Sequence, residues 1–482
     1  MILLRVLAVF TLIIASSAQA NVDEGQRAYE VEDYLSAFSL FKEAAQGGDA
    51  KGQFFLAECY FNGRGVPQDF SLAVEWYTAS AEQQFVQAQE RLGNLYLSGK
   101  FVPRDVELGA MWFSRAAKQG NMDAALIAGG LYFEGKEIEK NIPEALDIYR
   151  LAAEAGNVDA QEIVGYIYFT GLLGEPDFSQ ALIWYEKAAL GNRVYPQYAL
   201  GWMYQNGNGV TRDLNKSADF YEAAARQGHI GASAAIGFMY SNGEGREKDP
   251  AVAFEYFQKA ALAGESSVFK PLAWAYYDGN GVSKSATEAF KWFSKAAENG
   301  DVESKFLMGY SLLKGLGVPK DPTEGARWLE SAADSGHAPA HEILGELYFF
   351  GEDGIPVDYV QAAKWYEEPA KSGNAYAQYL MGYIYSEESA NMKNLVEAMK
   401  WFQLAANQGE LKAQSQLAWM YFEGLGTEQD LIEAYVWSNL SATASKGSER
   451  KELEELRNYI GSQLSPEDLK RAQQKTRAWR AN

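Results

Sequence analysis

Residues 200–228, LGWMYQNGNGVTRDLNKSADFYEAAARQG, decide the fold. In the second half, Ser217, Phe220, Tyr221, Ala224, Ala225 and Gly228 fall at the i, i+3, i+4, i+7, i+8 and i+11 positions that share one face of an α-helix. The first half closes a preceding helix with Leu200, Gly201 and Tyr204, and Gly207-Asn208-Gly209 marks the turn between them. Two such helices joined by a Gly-rich turn form a hairpin whose apolar faces need neighbours. Copies of the same stretch on either side provide them.

The residues equivalent to Phe220 are Leu40, Trp76, Trp112, Ile148, Trp184, Tyr256, Trp292, Trp328, Trp365, Trp401 and Trp437, each 36 residues from the last except for one step of 37 before Trp365. Three residues before this position the side chain is always small, from Ala37 through Ser217 to Ala434, which lets helices approach closely. Seven residues before it stand Asp69, Asp105, Asn141, Asp177, Asp213, Asp249, Ser285, Asp321, Asp358, Asn394 and Asp430. These are helix N-caps rather than metal ligands. The first helix of the repeat carries Gly or Ala followed three residues later by Tyr, as at Gly201/Tyr204, with Leu312 the one substitution for Tyr, and a further Gly three residues on ends the helix. Three irregularities are expected. Glu388 replaces that last Gly and predicts an irregular turn over 386–394, Pro369 predicts a kink, and Gly191, one residue early, predicts a shortened turn before Pro196.

The columns resemble the Sel-one-like repeat (SLR) family, relatives of the tetratricopeptide repeats, through the series LG-x-x-Y-x-x-G-x-G-V-x-x-D…A-x-x-W-Y-x-x-A-A-x-x-G, nearly intact from Phe54 to Gly409. The resemblance implies an all-α fold, a right-handed α/α superhelical solenoid of about twelve hairpins. The expected organisation is a signal peptide at 1–20, a short tetratricopeptide-like unit with a tighter turn at 21–48, tandem repeats over 49–444, and capping helices over 445–482. Such repeats form one continuous core closed by terminal caps.

The leader reads from Arg5, the apolar run Val6 to Ala15 and the A-x-A site Ala18-Gln19-Ala20. It is too short to span a membrane, and no Cys follows it as a lipid anchor would need. An exported chain, periplasmic or secreted, is expected to begin at Asn21. The formal charge of -21 argues against nucleic acid and anionic lipid, and favours solubility or a basic partner. Cys59 is the one cysteine, which rules out an intramolecular disulfide, and it occupies a column of core residues.

No catalytic constellation emerges, and no cofactor or metal is assigned. His229 and His337 each follow the Gly that ends a repeat, where a helix starts. His337 and His341 could share a helix face, but position 341 aligns with Gln161, Gln378 and Gln414, read as ordinary polar surface. The Gly-x-Gly turns follow no strand and precede no Lys-Ser/Thr, so they imply no phosphate site.

One column varies. The residue after the small one of the first helix is Glu58, Asn94 and Gly130, then Tyr166, Trp202, Phe238, Trp274 and Tyr310, then Glu346, Tyr383 and Trp419. Tyr198, Phe306 and Tyr379 stand four residues earlier on the same face. These ten aromatics either line a partner-binding strip on the inner curve or pack between successive first helices. The reading is a non-enzymatic exported scaffold that holds a protein or peptide. In similar families such proteins act in envelope regulation, secretion and host interaction. An alternative is binding of an envelope glycan or peptidoglycan by ring stacking. A β-lactamase-like enzyme is a third; its relatives carry cysteine pairs in each repeat, which this chain lacks.

Overall fold

The computed structural model describes residues 19–352, 354–388 and 391–481, and its regular elements are helices, with an isolated β-bridge between Glu352 and Ile355. Most of the expected leader lies outside the described residues.

The local chemistry is the same in each hairpin. Asp213 opens helix Leu214–Arg226 by accepting the backbone N–H groups of Asn215 and Lys216, both at 3.1 Å. Every second helix begins this way, on Asp, Asn or Ser, and so does the earliest, on Asp33. Each cap is worth about 1 kcal/mol. First helices end on a left-handed Gly such as Gly207, φ 75°, whose N–H donates to Met203 O at 2.8 Å.

The paired helices meet where a side chain is missing. A Cβ on Gly201 would lie 2.6 Å from Tyr221 Cδ1, and one on Gly165 would lie 2.5 Å from Tyr185 Cδ1. Both rings are fully buried. The second Gly of the turn also serves packing, since a Cβ on Gly209 would lie 2.5 Å from the backbone of Phe178.

One column was misread from the sequence. Gln161, Gln378 and Gln414 are buried, at 7%, 4% and 2% exposure, and so are Gln53, Gln89 and Gln197. Gln378 Nε2 donates to Ala370 O at 2.9 Å, while Gln408 Nε2 donates to Gln378 Oε1 at 2.8 Å. The same relay joins Gln83 to Gln53, Gln119 to Gln89, and Gln227 to Gln197. A buried carbonyl in the last turn of a helix has no intrahelical donor, and a long amide reaches it.

The expected shortened turn near Gly191 is also corrected. Asn192, at φ 61°, takes the left-handed place that Gly228 holds one repeat later, so the turn keeps its length. Gly191 stays at φ -78° and makes room for Val158 instead. Where Gly is lost at 388, helix Ala375–Ser386 ends on an extended Glu387 rather than a left-handed residue. Helix Tyr359–Lys371 runs through Pro369 at its full 13 residues. The first turn is short, with only 31–33 between helices 19–30 and Tyr34–Gln46. Pro271 cannot donate to Ser267 O, so that first helix starts as the 3-10 turn Ser266–Val268 before Phe269–Asp278.

Two compact units divide at Lys248/Asp249. The first holds six hairpins over 19–226 and helix Ile230–Asn242. The second holds helix Pro250–Leu262, five hairpins over 266–444, and helices Gly447–Gln463 and Pro466–Ala481. These last two bury Leu456, Ile460 and Ala472, and Trp479 meets Trp437 edge-on at 6.0 Å. Cys59 is fully buried, and burial pushes its thiol up to about 12.

Gly201→Val should destabilise the chain by about 1–3 kcal/mol, because the new methyls must displace a core ring. A urea-unfolding midpoint within error of the unsubstituted chain would contradict the contact between Gly201 and Tyr221.

Candidate partner-binding site

Since Gly201 faces its own hairpin, the next residue along the helix is turned about 100° away. That rotation sets the position of the whole variable column, and all ten predicted aromatics remain at least partly exposed.

In the first unit, Tyr166 is 37% exposed and belongs to a row of rings that crosses successive first helices. Centroid distances are 6.4 Å from Phe133 to Tyr166, 6.1 Å from Tyr166 to Tyr195, and 6.4 Å from Tyr195 to Tyr198. His229 stacks on Tyr198 at 4.2 Å. Trp202 packs edge-on against Phe169 at 5.3 Å, and Phe238 is half-buried. A cleft of about 620 Å³ opens along this row, lined by Phe133, Ile163, Tyr166, Leu172 and Tyr195, with Lys140, Asp159 and Glu162 at its walls.

In the second unit, Trp274 packs against Tyr277 and Phe293, both at 5.3 Å. Phe306 lies between Tyr310 at 6.2 Å and His337 at 4.4 Å. Tyr379 meets Phe402 at 6.0 Å, and Tyr383 meets Phe349 at 5.5 Å. Trp419, 47% exposed, contacts Phe422, which contacts Tyr459 of helix Gly447–Gln463. A second cleft, of about 430 Å³, is lined by Tyr310, Leu313, Ile343, Glu346 and Glu352. Leu313, Ile343, Glu346 and Glu352 are the five-repeat counterparts of Phe133, Ile163, Tyr166 and Leu172.

The two sequence readings of the column therefore combine: each ring rests on a neighbour and keeps an accessible edge. Sequence reasoning missed Tyr195, seven residues before Trp202 and so on the same helix face, and the stacking of His229 and His337 on Tyr198 and Phe306. It also missed that Glu58 is occupied. Glu58 accepts from Tyr77 Oη and Arg91 Nη2, both at 2.6 Å, which closes the column at that repeat.

Glu162 stands differently. Its side chain is 28% exposed, and burial pushes its carboxyl above the ordinary value. Arg193 Nε approaches it at 3.7 Å while the same guanidinium pairs with Asp159.

The histidines do not converge on an ion. His229 Nδ1 accepts the Ala232 N–H at 3.0 Å as an N-cap, and His341 meets Trp365 edge-on at 5.6 Å. Among the described residues, no group of three or more His, Cys, Asp or Glu could hold a metal ion. No described helix is long and apolar enough to cross a membrane.

Burial holds the His229 imidazole below its ordinary value of 6.5, so the folded chain favours the neutral ring. This contribution is whole above pH 6.5 and is lost as the pH falls through 6.5 towards the folded value. The thermal midpoint of the chain should therefore drop more steeply below that pH than that of His229→Asn, which keeps a cap without titrating. Parallel curves would refute the cap.

Tyr166→Ala should cost about 1–2 kcal/mol, since more than a third of its surface is already wet, against about 3–5 kcal/mol for the buried Tyr221→Ala. Equal losses in denaturant titrations would place Tyr166 in the core.

Comparison with known families gives twelve matches to the Sel1 repeat, at residues 24–49, 50–85, 86–121, 123–157, 158–192, 197–229, 231–265, 272–301, 302–337, 338–374, 375–410 and 411–445. Among solved structures, the chain is similar to c5321, a protective antigen of uropathogenic Escherichia coli strains with an SLR fold. Identity is 29% and the TM-score 0.52, over 92% of this chain and 94% of that one. It is also similar to a Sel1 repeat protein from Oxalobacter formigenes, at 30% identity and TM-score 0.45, over 64% of this chain and 89% of that one. No curated protein matches.

Proposed function

The chain belongs to the Sel1 repeat family, and we propose that it is an exported, non-enzymatic scaffold that binds an extended segment of a protein partner along its first helices. Repeats of this family typically serve protein interaction. The observation that carries the reading is the recurrence of one cleft, at the same register five repeats apart, lined by the column that varies most. Partly exposed Tyr and Trp offer large contact area at little conformational cost, and such rings dominate the energetics of interfaces. Clefts at repeat spacing suit a chain laid across the helices, with side chains entering in turn. Export rests on the positive start, apolar run and A-x-A site of the leader. A role in the cell envelope, in regulation or secretion, follows from that location.

The test is photocrosslinking in the producing cell, with probes at positions 166, 202 and 238 in one unit and 274, 310 and 419 in the other. A defined protein adduct from several positions, recovered outside the cytoplasm on a chain beginning at Asn21, is expected. Probes on the opposite side of the hairpins, at positions 115 and 187, should give none. Equal adducts from both sets, or none from the first, would reject the scaffold reading. A leader retained on all the protein would reject export.

A further inference from the structure

We propose that the cleft beside Tyr166 and Tyr195 accepts the cationic side chain of an Arg or Lys in the bound segment; this rests on the scaffold reading above. The lining of this cleft carries the inference. Rings of the second helices already have the chain's own cations over their faces: Arg115 over Trp112 at 4.7 Å, Lys187 over Trp184 at 4.2 Å, and Lys295 over Trp292 at 4.3 Å. A cation above a ring is attracted by its quadrupole, more strongly where water is thin. Some first-helix rings carry one too, Lys140 over Phe133 at 5.8 Å and Lys216 over Tyr204 at 5.1 Å, but among the described residues none lies over Tyr166 or Tyr195. Tyr166, 37% exposed, is accessible to a cation from elsewhere.

Glu162 supplies the matching charge. It lines the same cleft, is half-buried at 28% side-chain exposure, and accepts no hydrogen bond among the described residues. Arg193 Nε, at 3.7 Å, is too far to donate well, and its guanidinium is engaged by Asp159. A partly desolvated carboxylate without a donor gains most from a charge-assisted one. The chain's own Lys140 lines the cleft too, but it holds its ammonium 5.8 Å above Phe133 and forms no ion pair with Glu162 among the described residues. At long range, the charge of -21 draws basic segments rather than acidic ones.

The experiment uses the whole chain and three fluorescein-labelled twelve-residue peptides on one Leu/Ser scaffold, differing only in a central pair of Arg, Gln or Glu, read by fluorescence anisotropy. The Arg peptide should bind about tenfold tighter than the Gln peptide, and the Glu peptide more weakly than both, with the ratios shrinking as salt rises. Glu162→Gln should bring the Arg-to-Gln ratio close to one, whereas Glu154→Gln, at an exposed ion pair with Arg150, should leave it unchanged. Peptides binding alike, preference for Glu, or an unchanged ratio in Glu162→Gln would each overturn the cationic guest while leaving the scaffold reading intact. If no peptide binds but probes at position 166 still capture a protein, the cationic guest is again overturned alone. Loss of both peptide binding and crosslinks removes the scaffold reading with it.

Discussion

The contact between a helix backbone without a side chain and a buried ring on the facing helix organises the rest of this molecule. Gly165 against Tyr185, Gly201 against Tyr221 and Gly345 against Tyr366 bring paired helices so close that a single methyl would fall within 2.5–2.6 Å of ring carbons. The close approach fixes the rotation of both helices about their axes. In most hairpins one ring fills the seam, with Leu329 in its place against Gly309, and the next residue along the first helix is turned out. A glycine in a helix interior costs about 1 kcal/mol relative to alanine. Burying most of a tyrosine ring returns more than that, about 1.5–3 kcal/mol.

Hairpins held this way must still be joined to one another, and polar groups do much of that. Tyr204 donates to Glu186 at 3.2 Å, Tyr240 to Glu222 at 2.8 Å, and Tyr348 to Glu330 at 2.8 Å. The Gln relays act at the opposite ends of the helices. Each bond is worth only about 1 kcal/mol net, but an unpaired buried partner costs more. Repeats therefore specify their register through satisfaction of polar groups as much as through apolar area. Gln414 has a buried Oε1 with no donor, since Ala444 stands where Gln408 supplies an amide one repeat earlier.

Much of the architecture was legible because its causes are local and repeated. An Asp that caps a helix and a Gly that ends one leave their signature wherever the chain repeats, and a ring seated on a glycine does so in two columns at once. The Gln column was misread because an amide looks the same in sequence whether it is wet or buried; only the carbonyl eight residues back distinguishes the two. The turn at Gly191 was misread because Asn192 is the residue other than Gly that tolerates a left-handed backbone best. For the site, the column itself was legible from its variation. Tyr195, His229 and the engaged Glu58 were not, because their roles depend on neighbours some 30 residues away.

That same variation explains why fold and function separate in this chain. The seam tolerates few residue types, since any side chain at Gly201 collides with a ring. The next position carries Glu58, Asn94, Gly130, Tyr166 and Trp202 on the same backbone, because its side chain is turned out of the seam. At Glu58 the neighbouring Arg91 consumes the charge, whereas Glu162 keeps a carboxylate that only a 3.7 Å approach of Arg193 answers, beside the partly exposed Tyr166. A partner can therefore be read only from such unsatisfied groups, and the repeat pattern, which records what the seam requires, is silent about them.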